Sequence, residues 1–415
     1  PPELFLHERL LASASRVADP AQANAFFVPL WARAVAPETA GPGAYGRAVA
    51  AAVSHARSQG PWWDRRGGAD HIFVLTADTA FCDPKHSPRP PELERAIALV
   101  HFGLQLPQEG ESAAFNRGCS ARPQDVVIPP AVNFRVQAVD RREAEAPGNR
   151  RSSLFFRGTH FLSGSRLQMV RRTAISKLFR PPRLDVLYLG RRGLDTNMTS
   201  SAMLRSNFCL APSGGAPGWG DRLTLSAVHG CIPVVVQDNI TQPFEGFLPY
   251  DRFALRVEEA RLGELPALLE GIEAEPERLD GMRRELACAA VSFSWTSVYG
   301  ALLRPHRPGD GANDAFGTLV AALRHRLLGA PGLRSACSSP GTSAGLSEPS
   351  EPPCETYFED GGTRWGDVRA QAPCPHPKGW CPQPGRGETW LRHNHATCPT
   401  APGQPWWQPW PPGGA

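Results

Sequence analysis

The 415-residue chain has no apolar run of the roughly 18 residues that a membrane-crossing helix requires, so no span lies within it. It has no Gly-x-Gly-x-x-Gly set directly behind a strand with an acid about twenty residues on, which argues against a dinucleotide-dependent oxidoreductase. It has no Asp-x-Asp pair, so metal-assisted chemistry is not expected. Its 44 Lys+Arg and 40 Asp+Glu leave a net charge of +4, too slight and too dispersed for a nucleic-acid surface. It has no initiating methionine, opening at Pro1-Pro2-Glu3, and is read as a fragment of a longer protein.

Proline and cysteine, by contrast, are plentiful. The 43 prolines exceed an average usage of about five per cent, which has no functional meaning by itself. The ten cysteines are more than a cytosolic enzyme of this size uses. Cys82, Cys119, Cys209, Cys231 and Cys288 lie in the body, and Cys337, Cys354, Cys374, Cys381 and Cys398 in the tail. The tail lacks the tight Cys-x-x-Cys pairs of a zinc site, so disulfides and an oxidising compartment are expected. For Cys209 and Cys231, set in apolar segments, buried free thiols are the competing expectation. Asn197-Met-Thr and Asn239-Ile-Thr match the glycosylation acceptor pattern.

The segment 206–251 carries the most information: SNFCLAPSGGAPGWGDRLTLSAVHGCIPVVVQDNITQPFEGFLPYD. A short apolar strand (207–210) ends at Ala211-Pro212, because proline cannot extend a sheet ladder. Ser213, Gly214, Gly215, Gly218 and Gly220 then allow the backbone to approach a ligand. Asp221 is placed to cap a helix over 222–228, and Gly230 to end it. Arg222, in the first turn, opposes the helix dipole unless an anion arrives to pair with it. The β-branched run 232–236 reads as a central strand covered on both faces. The unit is therefore a parallel βαβ whose loop and helix N-terminus face the carboxyl edge of a sheet. Such edges bind anions. The competing reading is a glycine loop that only joins two core strands.

FCLAPSGGAPGWGDRLTLSAVHGCIPVVVQDNITQPF resembles the exostosin-type glycosyltransferases, and the likeness is carried by Phe208, Cys209, Leu210, Pro212, Gly214, Arg222, Leu223, Gly230, Cys231, Pro233, Val234, Asp238, Pro243 and Phe244. DPAQANAFFVPLWA, GGADHIFVLTADTA and LFFRGTHF add ordered matches, so the resemblance covers roughly residues 3–303. It implies an α/β fold of the GT-B type, two Rossmann-like domains facing a cleft, with a Cys/Pro/Trp-rich tail. It also implies inverting transfer of a sugar from a UDP-sugar to a glycan hydroxyl, without a metal or other cofactor. By the same resemblance the protein is expected in the Golgi lumen, as a type II membrane protein anchored by a segment outside this chain. A catalytically weak carbohydrate-binding or scaffold member of the family is the alternative. Leu225 motivates it, since it stands where relatives carry a glutamate expected to meet the donor ribose.

An inverting transfer needs a base for the acceptor hydroxyl and a cationic grip on the leaving diphosphate. Asp78, in the Thr-x-Asp segment, and Glu245, after Pro243-Phe244, are the candidate bases; for each, a structural acid is the competing role. Arg157-Gly158, at the end of a predicted strand, is placed to grip the diphosphate, the alternative being a surface arginine lying over its domain. With Arg157 and Gly158, the donor set comprises Ser213, Gly214, Gly215, Asp221, Arg222 and Asp238. His71 and His229, inside apolar segments, read as packed histidines.

The domains are expected at 1–149 (acceptor side, its opening strand missing), 150–306 (nucleotide-sugar binding) and 307–415 (a helix, then a partly disordered tail). In the first, periodicity predicts helices over 4–17 and 44–58 and strands over 25–30, 70–76 and 124–130. Trp62-Trp63 is read as a loop with exposed or half-exposed aromatics, and 88–99 as containing a helical start. In the second, strands are predicted over 153–158 and 253–257, and helices over 167–179, 262–272 and 276–290. A helix over 315–328 precedes the tail, whose tryptophans read either as sugar-stacking platforms or as a low-complexity appendage.

Overall fold

The computed structural model describes residues 2–11, 13, 15–30, 44–76, 90–101, 103–105, 122–130, 144, 150–156, 196–212, 221–295, 314–337, 380–382 and 390–392. The first lobe opens with helix α1 (Pro2–Leu11) and strand β1 (Phe26–Val28), followed by α2 (Ala44–Ser58), α3 (Trp62–Arg66) and β2 (His71–Leu75). β3 (Ile97–Val100) and β4 (Val126–Val127) complete a sheet in the order β1-β2-β3-β4, every pairing parallel. The second lobe runs β5 (Ser152–Phe155), α4 (Thr196–Leu204), β6 (Ser206–Pro212), α5 (Asp221–Val228) and β7 (Ile232–Val236). α6 (Tyr250–Phe253), β8 (Leu255–Arg256), α7 (Leu265–Glu273) and α8 (Pro276–Ser292) follow, with a second parallel sheet ordered β5-β6-β7-β8. α9 (Ala315–Leu328) comes next, and two short strands, β9 (Trp380–Pro382) and β10 (Trp390–Arg392), pair antiparallel in the tail.

Both sheets are buried on two faces, which is why their strands read as unbroken apolar runs. In β2, Ile72 and Val74 join the larger core while Phe73 and Leu75 face a second cluster with Val49, Val53 and Trp63. In the second lobe, Leu154, Phe208 and Leu210 face the larger core, and Phe155 and Cys209 the opposite side.

Several expectations need correction. The helical start expected within 88–99 is a 3-10 turn, Pro91–Leu93, that leads not into a longer helix but into strand β3; Ile97 to Val100 bury alternate side chains in two different clusters, which a strand allows and a one-faced helix does not. Trp62-Trp63 begins a helical turn, and Trp63 is buried to 2% exposure against His71 and Phe73. The strand predicted over 253–257 is only Leu255–Arg256, because Phe253 ends α6. Cys209 and Cys231 are not free thiols. They form a disulfide between β6 and the residue that precedes β7. A second disulfide, Cys288–Cys337, ties α8 to the chain beyond α9, so one tail cysteine pairs with the body. The predicted helix 167–179 lies outside the described residues.

Arg150 secures the entry to the second lobe. Its guanidinium donates to the carbonyls of Met203 (3.1 Å) and His229 (2.9 Å), and also to those of Ser206 and Ala144. Burial, with Arg283 nearby, lowers its pKa to about 10. Gly230 closes α5 with φ +61°; Cys231 N–H bonds Ser226 O and Gly230 N–H bonds Ala227 O, the paired bonds of a Schellman cap. A Cβ at Gly230 would lie 2.5 Å from Ala144 O, so the cap and the interlobe entry both require glycine there.

Candidate functional site

The carboxyl ends of β6 and β7 are in register, Pro212 opposite Val236, and α5 starts just beyond that edge. Arg222 in its first turn lies over the Phe156 ring, 5.9 Å from the centroid, immediately past the end of β5. This puts a guanidinium on the rim where β5, β6 and β7 end. Beside it in the chain, Asp221 Oδ1 is buried and finds no hydrogen-bond partner among the described residues. Thr224 Oγ1, one turn on in a fully buried side chain, has none either. Unsatisfied buried polar atoms cost about 1–3 kcal/mol each and cluster where a ligand completes the network.

Two buried glutamines extend this rim. Gln237 Nε2 donates to Ala211 O (3.1 Å), and Gln242 Nε2 donates to Gln237 Oε1 (3.3 Å) and Ile240 O (3.1 Å). Among the described residues, Gln242 Oε1 has no partner. Neither residue stood out in the sequence; the only available signal was two amides in an otherwise apolar strand end and loop.

The remaining candidates fall as follows. Asp238 accepts Glu259 N–H through both oxygens (3.2 and 3.3 Å), capping the 3-10 turn Glu259–Glu264. Glu245 accepts Gln242 N–H at 2.7 Å and Arg256 Nη2 at 2.6 Å, so both of its oxygens carry a donor. Asp78, Arg157, Gly158, Ser213, Gly214 and Gly215 lie outside the described residues. Leu225 is half-buried on the cluster of Phe155, Met203 and the Cys209–Cys231 disulfide. His229 is fully buried: Nδ1–H donates to Leu225 O (2.6 Å), which leaves Nε2 to accept from the Ser200 hydroxyl (2.7 Å). Burial, with Arg150 nearby, lowers its pKa to about 4. His71, at 3% exposure, bonds Asp70 Oδ1 through Nδ1 at 2.9 Å and stacks on Phe26. Of the two acceptor tripeptides, Asn197 falls in α4, and Asn239 sits exposed in a left-handed turn with φ 58°.

The lobes meet at a backbone seam. Leu104 and Ile240 form an antiparallel bridge, in which Gln105 N–H bonds Asn239 O and Thr241 N–H bonds Gly103 O, both at 2.8 Å. Phe244 N–H bonds Val127 O, and Trp295 Nε1–H crosses to Pro129 O at 2.9 Å. α9 then returns to the first lobe, where Arg324 reaches Ser15 and Arg326 donates to Pro123 O.

Two parallel α/β sheets joined at such a seam, one with a charged helix start at its carboxyl rim, define a two-lobed α/β protein. The chain belongs to the Exostosin GT47 domain family, which matches residues 2–272. A probable glucuronosyltransferase of Oryza sativa subsp. japonica is 35% identical over 286 residues, covering 66% of this chain and 63% of that protein. A probable glucuronoxylan glucuronosyltransferase of Arabidopsis thaliana is 32% identical over 300 residues, covering 68% of this chain and 60% of that protein. This chain thus spans less than two thirds of the length of either relative. Among solved structures, Anabaena HepE in complex with UDP and glucose aligns at 11% identity with a TM-score of 0.36, over 61% of this chain and 73% of that one.

Proposed function

We propose that this protein transfers a sugar from a UDP-sugar to a hydroxyl of a glycan, with inversion. The observation that carries the reading is Arg222, set at the N-terminus of α5 on the carboxyl rim of the second sheet, within a chain of the Exostosin GT47 domain family. Relatives named as glucuronosyltransferases support glycosyl transfer and suggest a uronic acid as the sugar moved. In the reaction a carboxylate takes the acceptor proton, the freed oxygen attacks the anomeric carbon from the face opposite the leaving group, and UDP departs with the bonding electron pair. Arg222 and Arg157, with the backbone N–H groups of 213–215, would stabilise the charge that builds on the diphosphate. No metal is assigned a part. Of the two candidate bases, Asp78 suits the role better, because both oxygens of Glu245 already accept hydrogen bonds. Two disulfides, of which Cys209–Cys231 is buried, favour folding in an oxidising secretory compartment.

Leu225, an apolar side chain packed against Phe155, Met203 and the disulfide, supports a second reading, a weakly catalytic glycan-binding member, because it offers a ribose hydroxyl no acceptor. Calorimetric titration with UDP separates the two. The transferase reading expects saturable binding that Arg222→Ala weakens by roughly tenfold or more, the loss typical of a charge-assisted contact. Silence of the folded wild-type protein toward UDP, or binding indifferent to Arg222, would overturn it.

A further inference from the structure

A cavity of about 440 Å³ lies against the seam between the lobes, and Arg222 is not part of its wall. Three arginines line it from three separate elements: Arg122 shortly before β4, Arg256 at the end of β8, and Arg326 on α9. The two acids that share the wall are already committed. Asp125 accepts Ala98 N–H at 3.0 Å and Arg122 N–H at 2.8 Å, one on each oxygen, and Glu245 accepts Gln242 N–H and Arg256 Nη2.

Counting donors shows what is left over. A guanidinium carries five N–H groups. Arg122 spends Nη2 on Glu94 at 2.9 Å, and Glu94 is not part of the cavity wall. Arg326 spends Nη1 on Pro123 O. Arg256 spends Nη1 on the carbonyls of Gln237 and Ile240 and Nη2 on Glu245. Among the described residues, most of the donor capacity of Arg122 and Arg326 is therefore unused, and the neutral Gln105, Asn239 and Thr241 share the same wall, Gln105 Nε2 donating to Thr241 Oγ1. Burial lowers the pKa of Arg326 although the charge of Asp125 acts to raise it, and a bound anion would act in the same sense as Asp125.

We propose that this cavity is an oxyanion site bridging the two lobes, taking either the carboxylate of an acidic saccharide or a free phosphate. Both present oxygens that match the fork of a guanidinium. Arg122 belongs to the first lobe and Arg256 to the second, while Arg326 stands on the helix that returns from the second lobe to the first. An anion held by all three clamps the lobes beside the Leu104–Ile240 bridge and couples its own occupancy to their relative position. The site contains none of the residues assigned to the donor, and Glu245, the less suited candidate base, is on its wall but already paired with Arg256 and Gln242, so loss of anion binding in Arg122→Gln or Arg326→Gln is read separately from the UDP titration.

The full chain is titrated calorimetrically at low salt with glucuronic acid, glucose and inorganic phosphate. Glucuronate or phosphate is expected to bind and glucose is not, with affinity falling as sodium chloride is raised. Arg326→Gln and Arg122→Gln are each expected to weaken that binding by roughly tenfold. Tighter glucuronate identifies a glycan carboxylate as the ligand, and tighter phosphate a free anion. Thermal melts report whether the variants fold; should Arg326→Gln fail to fold, Arg122→Gln, whose only side-chain partner among the described residues is the half-exposed Glu94, carries the test. No binding of either anion to the wild type, or folded variants that bind as the wild type does, overturns the assignment.

Discussion

Gly103→Ala tests whether the backbone seam holds the lobes together. A Cβ built on Gly103 lies 1.9 Å from Thr241 O and 2.8 Å from Thr241 C, both backbone atoms that no rotamer change can move aside. Contacts under 3.0 Å are essentially never tolerated by a real Cβ, so the two segments must part by about 1 Å. The two bridge bonds, Gln105 N–H to Asn239 O and Thr241 N–H to Gly103 O, start at 2.8 Å, and such a shift carries both beyond hydrogen-bond range. Each is worth about 1 kcal/mol net, and buried groups left unpaired cost more, so the loss is about 2–4 kcal/mol. Urea denaturation followed by tryptophan fluorescence measures it directly. Gly271→Ala is the control: it lies inside α7, its Cβ would meet nothing within 4 Å, and it is expected to stabilise by about 0.5–1 kcal/mol through helix propensity. If Gly103→Ala stays within about 0.5 kcal/mol of wild type, as an ordinary surface substitution does, the seam is not what positions the lobes.

Acid offers a second perturbation. Because the folded pKa of His229 is lowered from 6.5 to about 4, its contribution is complete above pH 6.5 and is lost as pH falls through 4, the unfolded chain taking up the proton first. About 2 kcal/mol should be gone by pH 5; a urea-midpoint comparison of wild type and His229→Gln at pH 7 and 5 isolates it, and parallel losses in the two proteins would contradict the assignment. The Cys209–Cys231 bridge, closing a sequence separation of 22, is expected to contribute about 3 kcal/mol by constraining the unfolded chain. The double variant Cys209→Ala/Cys231→Ala should therefore melt several degrees lower, and an unchanged melting temperature would show that the bridge contributes little.

The amino-acid sequence by itself determined the local units. Helices Ala44–Ser58 and Ala315–Leu328 and strand Ile232–Val236 fall where periodicity, branching and flanking residues put them, since each of those signals acts within a few residues of its own element. The parallel order of β6, α5 and β7 was legible for the same reason, with Gly230 ending α5 as expected, although β6 runs on through Ala211 and Pro212 and α5 begins on Asp221 rather than after it. Arg222 on the rim follows directly from that order. Other features depend on partners distant in the chain, and no local signal encodes them. Trp63 is buried because Phe73 and His71 arrive from a neighbouring strand, and Ile97 to Val100 become a strand because covered surfaces wait on both sides. Cys288 finds Cys337 only once α9 has crossed over, and Gly103 is required only because Thr241 lies against it. The gathering of Arg122, Arg256 and Arg326 around one cavity likewise needs both lobes and the returning helix, because residues some 70 to 200 positions apart meet only when packing, rather than pattern, decides who the neighbours are.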